Sequence, residues 1–232
     1  QTSPAPVQVQ GLLGGVTEIS AGHTNTCAIE GDAARCWGSN ISGQLGYGIG
    51  PDSSVPVHVA GLADGVTSIA TGWLHSCAVI DNGAKCWGSS EYGQVGDGSI
   101  WDEQTDIFHE EPRDVAGLAT GVVDVVTGAI HSCSLELSGT VRCWGDNRAG
   151  QLGDGTRADK ATPVDVVELG SGLVSISVGI DYTCVLTSDG GVKCWGENSH
   201  GQLGDGTTTG RYTPVSVSEL GSSVTVIAAG AG

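Results

Sequence analysis

The residues with most chemistry to offer in this chain of 232 residues are eight cysteines, six histidines and a recurring aspartate. The cysteines form four pairs, Cys27/Cys36, Cys77/Cys86, Cys133/Cys143 and Cys184/Cys194, separated by 9, 9, 10 and 10 residues. Such pairs can ligate a metal, stay buried as thiols, or oxidise. Zinc favours clusters with two to four residues between cysteines, and no such cluster is present. Each pair flanks a predicted β-hairpin, which sets its two members on adjacent antiparallel strands with Cβ atoms about 4.5–5.5 Å apart. A twisted hairpin brings that within disulfide reach. Eight cysteines alone leave connectivity open, but the fourfold recurrence selects four within-unit disulfides, with reduced buried thiols as the alternative. Even count and strict pairing point to an oxidising setting: extracellular, cell-surface or periplasmic.

The histidines are His23, His58, His75, His109, His131 and His200. Only His75 and His131 occupy equivalent positions, where the other units carry Asn25 and Tyr182. A site that accepts His, Asn or Tyr reads as a polar structural contact near a strand start. No Ser-His-Asp set follows from spacing. Asp97, Asp154 and Asp205 each precede a glycine, which is ordinary turn chemistry, whereas calcium needs six or more converging oxygens. The expectation is therefore no catalytic residue, no cofactor and no metal. Asn40-Ile41-Ser42 has the form of an N-glycosylation acceptor.

The elements behind these residues repeat. CWGSNISGQLGYG at 36–48 returns as CWGSSEYGQVGDG, CWGDNRAGQLGDG and CWGENSHGQLGDG. The tryptophans Trp37, Trp87, Trp144 and Trp195 are 50, 57 and 51 residues apart, and a proline opens each unit. The repeats run approximately 6–55, 56–111, 112–162 and 163–213, with a partial fifth at 214–232. In the second, VPVHV alternates at period two, VTSIAT is a short β-branched run, and HSCAVI-DNG-AKCWG is a hairpin with Asn-Gly at its tip. No long segment has helical apolar spacing. Four short strands per repeat of about fifty residues predict an all-β propeller. Each tryptophan is suited to packing between adjacent sheets, and Gln44, Gln94, Gln151 and Gln202 to bonding neighbouring loop backbone.

The third unit carries the fullest phrase, with Gly128, His131, Ser132, Gly139, Val141, Trp144, Gly145, Asn147, Gly150, Gln151, Leu152, Gly153 and Gly155. This pattern resembles the regulator of chromosome condensation repeat, and the resemblance covers nearly the whole chain. It implies four-stranded blades of a seven-bladed ring, of which this chain holds about four and a half. Its Cys-Trp-Gly form resembles a bacterial exported branch of the family. The resemblance also raises two known activities. The founding member's exchange of nucleotide on a nuclear GTPase comes with a basic chromatin-binding tail, which has no counterpart here. The plant UV-B photoreceptor uses clustered tryptophans, and here only Trp73, in GWLHS, comes close. Gly230 aligns with Gly22, Gly72, Gly128 and Gly179, so the natural protein is expected to continue through another Cys-hairpin-CWG.

Bulk composition sets outer limits. The formal net charge is −17 and glycine supplies 39 residues. A polyanion would be repelled, which excludes nucleic acid and anionic lipid as favoured partners. No apolar run approaches the roughly 20 residues of a membrane helix. One segment departs from the repeat: GDGSIWDEQTDIFHEEPRDV, residues 96–115, is about six residues too long by the 57-residue spacing. It carries Trp101 and Phe108 beside Asp102, Glu103 and Asp106. Propellers accept insertions in face loops, where function concentrates, so these five residues form the candidate partner-binding loop. The expected function is an extracellular, non-enzymatic protein-binding scaffold. The alternative is a structural subunit whose ring is completed by other segments or copies.

Overall fold

Short β-branched runs interrupted by glycines cannot sustain helices, and in the computed structural model they form sixteen strands in four antiparallel sheets. The structure describes residues 5–101, 108–221 and 223–230. The first sheet comprises β1 (Val16–Ala21), β2 (Asn25–Glu30), β3 (Ala33–Gly38) and β4 (Ser53–His58). The second comprises β5 (Val66–Thr71), β6 (His75–Ile80), β7 (Gly83–Ser89) and β8 (Phe108–Asp114). The third comprises β9 (Val122–Thr127), β10 (His131–Glu136), β11 (Val141–Gly145) and β12 (Lys160–Asp165). The fourth comprises β13 (Leu173–Val178), β14 (Tyr182–Thr187), β15 (Val192–Gly196) and β16 (Arg211–Ser216). Each sheet is a meander in chain order. The first strands β1, β5, β9 and β13 touch in sequence and line the axis. Among the described residues, no helix is long and apolar enough to cross a membrane.

Sheet and repeat are out of phase by one strand. The Pro-Val strand that opens a sequence repeat is the outermost strand of the preceding sheet: Arg35 pairs with His58, Lys85 with Asp114, and Arg142 with Asp165. Each blade thus takes its last strand from across a repeat boundary. The hairpin turn of the second blade is likewise Asp81-Asn82, both at positive φ, with Ile80 opposite Gly83. Gly83 is then the first strand residue rather than part of the tip.

The glycine of Cys-Trp-Gly is obligatory. The ladder to the outer strand slips between Cys and Gly in all four blades. Gly38, Gly88, Gly145 and Gly196 have φ of 110°, 101°, 103° and 109°. A Cβ at any of them would stand 2.4–2.6 Å from the carbonyl of Thr24, Leu74, Ile130 or Asp181. The local bulge needs positive φ and close backbone approach, which only glycine supplies.

The core lies between blades. Trp87 packs with Leu45, Val59 and Leu62 of the first blade, Trp144 with Val95, Val115 and Leu118 of the second, and Trp195 with Leu152, Val166 and Leu169 of the third. All three tryptophans are fully buried, whereas Trp37, on the open side of the first blade, is half-buried. After β16 the chain returns toward the axis. Val224, Ile227 and Ala229 pack on Tyr182, Cys184 and Leu186, and Gly230 N donates to Tyr182 Oη at 3.0 Å.

Candidate functional site

The positions that repeat are occupied with structure. Cys27–Cys36, Cys77–Cys86, Cys133–Cys143 and Cys184–Cys194 are bonded, each pair directly opposite in register with Cα atoms 4.0–4.1 Å apart. Gln44, Gln94, Gln151 and Gln202 work differently from expectation. Each side-chain Oε1 accepts from the amide two residues earlier in its own loop. The bond to the next blade is made by the main chain. The carbonyls of Gln44, Gln94 and Gln151 accept from the indoles of Trp87, Trp144 and Trp195 at 2.8–2.9 Å, and from the hydroxyls of Ser76, Ser132 and Thr183 at 2.9–3.0 Å.

Those hydroxyls also settle the buried histidines. Ser132 and Thr183 spend their protons on glutamine carbonyls, so His75 Nε2–H donates to Ser132 Oγ at 3.0 Å and His131 Nε2–H to Thr183 Oγ1 at 3.1 Å. Asn25 Nδ2 makes the same contact to Ser76 Oγ at 3.2 Å. Burial pushes His75 down to about 4 and His131, with His75 beside it, down to about 3. Both are neutral structural links.

The recurring aspartates cap their own loops. Asp154 accepts from the amide and hydroxyl of Thr156, Asp205 from those of Thr207, and Asp97 from those of Ser99. Burial works to raise Asp97 and Asp154, but these bonds outweigh it and hold both below the usual carboxylate range. Each also faces the residue opposite the bulge glycine: His109, Lys160 or Arg211. Folding therefore assembles Asp97, Ser99 and His109, which spacing did not reveal. Ser99 Oγ and Asp97 Oδ2 approach the same nitrogen, His109 Nε2, at 2.8 and 3.4 Å. A proton relay needs them on opposite nitrogens, so the cluster clasps the base of the inserted loop. Among the described residues no group of His, Cys, Asp or Glu could hold a metal ion. Asn40 is buried, with both side-chain ends engaged by Gly50 O and Leu45 N, so its sequon is closed to glycosylation.

The inserted segment joins β7 to β8. Trp101 is 55 % exposed; Phe108 is 37 % exposed and belongs to β8, opposite Ser89. Phe108 is thus a strand residue because the ladder extends past the bulge. Asp102, Glu103 and Asp106 lie outside the described residues. Around the axis, Trp73 tilts against His23 at 5.6 Å beside a cavity of about 490 Å³ that Gly72, Gly128 and Ile180 also line. A charged cleft lies between the third and fourth blades, lined by Asp146, Arg148, Arg157, Asp181, Glu197 and Tyr212.

The comparisons agree with this architecture. The profile of the regulator of chromosome condensation (RCC1) repeat matches residues 36–79, 86–135, 138–186 and 189–232. The chain belongs to the RCC1 repeat family. A human protein described as "Probable E3 ubiquitin-protein ligase HERC3" is 44 % identical over 111 residues, which is 47 % of this chain and 11 % of that protein. Human "E3 ubiquitin-protein ligase HERC2" is 38 % identical over 112 residues, 47 % of this chain and 2 % of that one. The chain therefore spans about a tenth or less of these relatives. The structure of human WBSCR16 superposes with a TM-score of 0.81 at 26 % identity, covering 97 % of this chain and 58 % of the other. Prp20p from Saccharomyces cerevisiae gives 0.78 at 19 % identity, covering 93 % and 54 %.

Proposed function

We propose that this RCC1-type domain is a non-enzymatic protein-binding scaffold that works in an oxidising compartment, outside the cytosol. The carrying observation is the inserted stretch, acidic in sequence, which presents Trp101 and Phe108 to solvent. Exposed aromatics are the side chains from which interface hot spots are built. Four disulfides in one domain support the compartment, and the Cys-Trp-Gly phrasing supports an exported bacterial origin. Structures on this fold include Kap60 bound to yeast RCC1 and Prp20p, studied for binding Gsp1p and histones. They set a precedent for protein partners without naming this one. The charge of −17 disfavours nucleic acid and anionic lipid.

A structural role is the second reading. Ile19 on the first blade is 61 % exposed, while its equivalents Ile69, Val125 and Ile176 are at most 4 % exposed. That face suits one more blade, from the same chain or another.

The test is the double substitution Trp101→Ala and Phe108→Ala, assayed against a partner cross-linked and identified from the native source. We expect at least a tenfold loss of affinity with unchanged melting. Unchanged affinity removes this loop from the binding site.

A further inference from the structure

In a repeat protein, residues shared by all units build the scaffold, and surface positions that depart from the repeat are free to take on recognition. Besides the inserted loop, the joint between the third and fourth blades departs at three acidic positions. The residue after Cys-Trp-Gly is Ser39 and Ser89 in the first two blades but Asp146 and Glu197 in the last two. The residue whose carbonyl meets the bulge glycine is Thr24, Leu74 or Ile130 elsewhere, and Asp181 here. These three carboxylates line one cleft of about 460 Å³ with Arg148, Arg157 and Tyr212.

The cations are segregated too. The chain has nine. Arg35, Lys85, Arg142 and Lys193 precede the second cysteine of each blade as part of the repeat. Of the other five, Arg148, Arg157, Lys160 and Arg211 all sit on the loops and outer strands of the third and fourth blades. Arg148 lies over the Tyr92 ring at 4.7 Å, and Arg157 over Tyr212 at 5.5 Å. Arg157 Nε also donates to Arg148 O at 2.7 Å, which ties the two loops of the cleft rim.

The pairing inside the cleft is uneven. Asp146 is buried and satisfied: Oδ1 accepts from Arg148 Nε and Oδ2 from Gln151 Nε2, each at 2.5 Å. Glu197 accepts from Ser199 N at 2.8 Å. The Asp181 carboxylate has no hydrogen-bond or ion-pair partner among the described residues, although its surroundings are half-buried. Burial and Asp146 raise its pKa, Arg148 works the other way, and Glu197 raises it again; the net direction is upward, so a further cation placed here would relieve repulsion as well as form a bond.

We propose that this cleft is a docking site for an arginine side chain of a partner polypeptide. The guanidinium sits between Asp181 and Glu197, where a planar fork can engage a carboxylate with two donors. Arg148 and Arg157, held by Asp146 and by stacking, balance two of the three carboxylates, and the one negative charge left over matches a single guanidinium. This inference rests on the protein-binding reading above and adds a second contact, on a different blade joint, to the Trp101 loop.

The probe is N-acetyl-arginine methylamide, with N-acetyl-citrulline methylamide as its neutral isostere, titrated into the folded chain and followed by amide shifts in two-dimensional NMR. We expect saturable shifts at Asp181, Glu197, Gly210 and Tyr212, at least tenfold weaker binding of citrulline, and weakening with added salt. The isosteric change Asp181→Asn should reduce binding at least tenfold while the rest of the spectrum stays that of the native fold. Equal binding of the two probes, or shifts elsewhere that ignore Asp181→Asn, would overturn the proposal. Failure of the Trp101 and Phe108 substitutions to affect a partner leaves this result untouched, so the two readings fail separately.

Discussion

A neutral imidazole is the working part of the blade joint at His75 and His131. Each donates through Nε2 to a hydroxyl whose own proton is committed to a glutamine carbonyl. Protonation would put charge where no solvent reaches. An ordinary histidine titrates near 6.5, and burial brings these two to about 4 and about 3. Below roughly pH 6.5 the unfolded chain takes up two protons that the folded chain refuses. Stability is thus full above that pH and falls as pH drops toward 4, by up to about 2.7 kcal/mol per pH unit. Urea midpoints measured from pH 7.5 to 4.5 should trace this decline. His75→Asn with His131→Asn, which copies the solution used at Asn25, should flatten the curve. An unaltered slope in that variant would assign the decline to other groups.

Among the elements, the joint between blades depends on the second glycine of Gly-Gln-Leu-Gly. A Cβ on Gly153 would lie 2.6 Å from Trp195 Nε1 and 2.8 Å from Val166 Cγ1 at φ +68°, whereas Gly170 has φ +83° and nothing within 4 Å. Both alanine substitutions incur the left-handed penalty of roughly 1–2 kcal/mol. Gly153→Ala must also displace a buried indole that bonds Gln151 O, so by denaturant unfolding it should cost about 2 kcal/mol more than Gly170→Ala. Equal losses would mean that the indole contact carries little. This joint also marks what the sequence could disclose. Strands, hairpins, the packing of Trp87, Trp144 and Trp195 between sheets and the facing of each cysteine pair were legible because four copies repeat the same local pattern. The strand that completes each blade was not, because β3 and β4 are joined by a long loop and local alternation names no partner. For the same reason the glutamines hid their role: sequence displays the side chain, while the bond between blades uses the carbonyl.

At the scale of the molecule, regularity and its exceptions divide the labour. Each outermost strand carries a proline, at Pro56, Pro112, Pro163 and Pro214, which removes a donor from an exposed edge and discourages strand addition. That directs partners to loops and clefts rather than to sheet edges. The departures lie at Trp101 and Phe108 and at the Asp146–Asp181–Glu197 cleft. The cleft was invisible in sequence because Asp146 and Asp181 belong to different blades and meet only when those blades pack. Four blades of this kind occupy a little over half of the WBSCR16 chain they superpose on. Each blade is a separate antiparallel sheet closed by its own sulfur bridge. Mass spectrometry of peptides from a digest of the folded protein, alkylated without reductant, tests it directly. Cross-linked peptides should join Cys27 to Cys36, Cys77 to Cys86, Cys133 to Cys143 and Cys184 to Cys194; bridges between blades, or eight alkylated thiols, would contradict it.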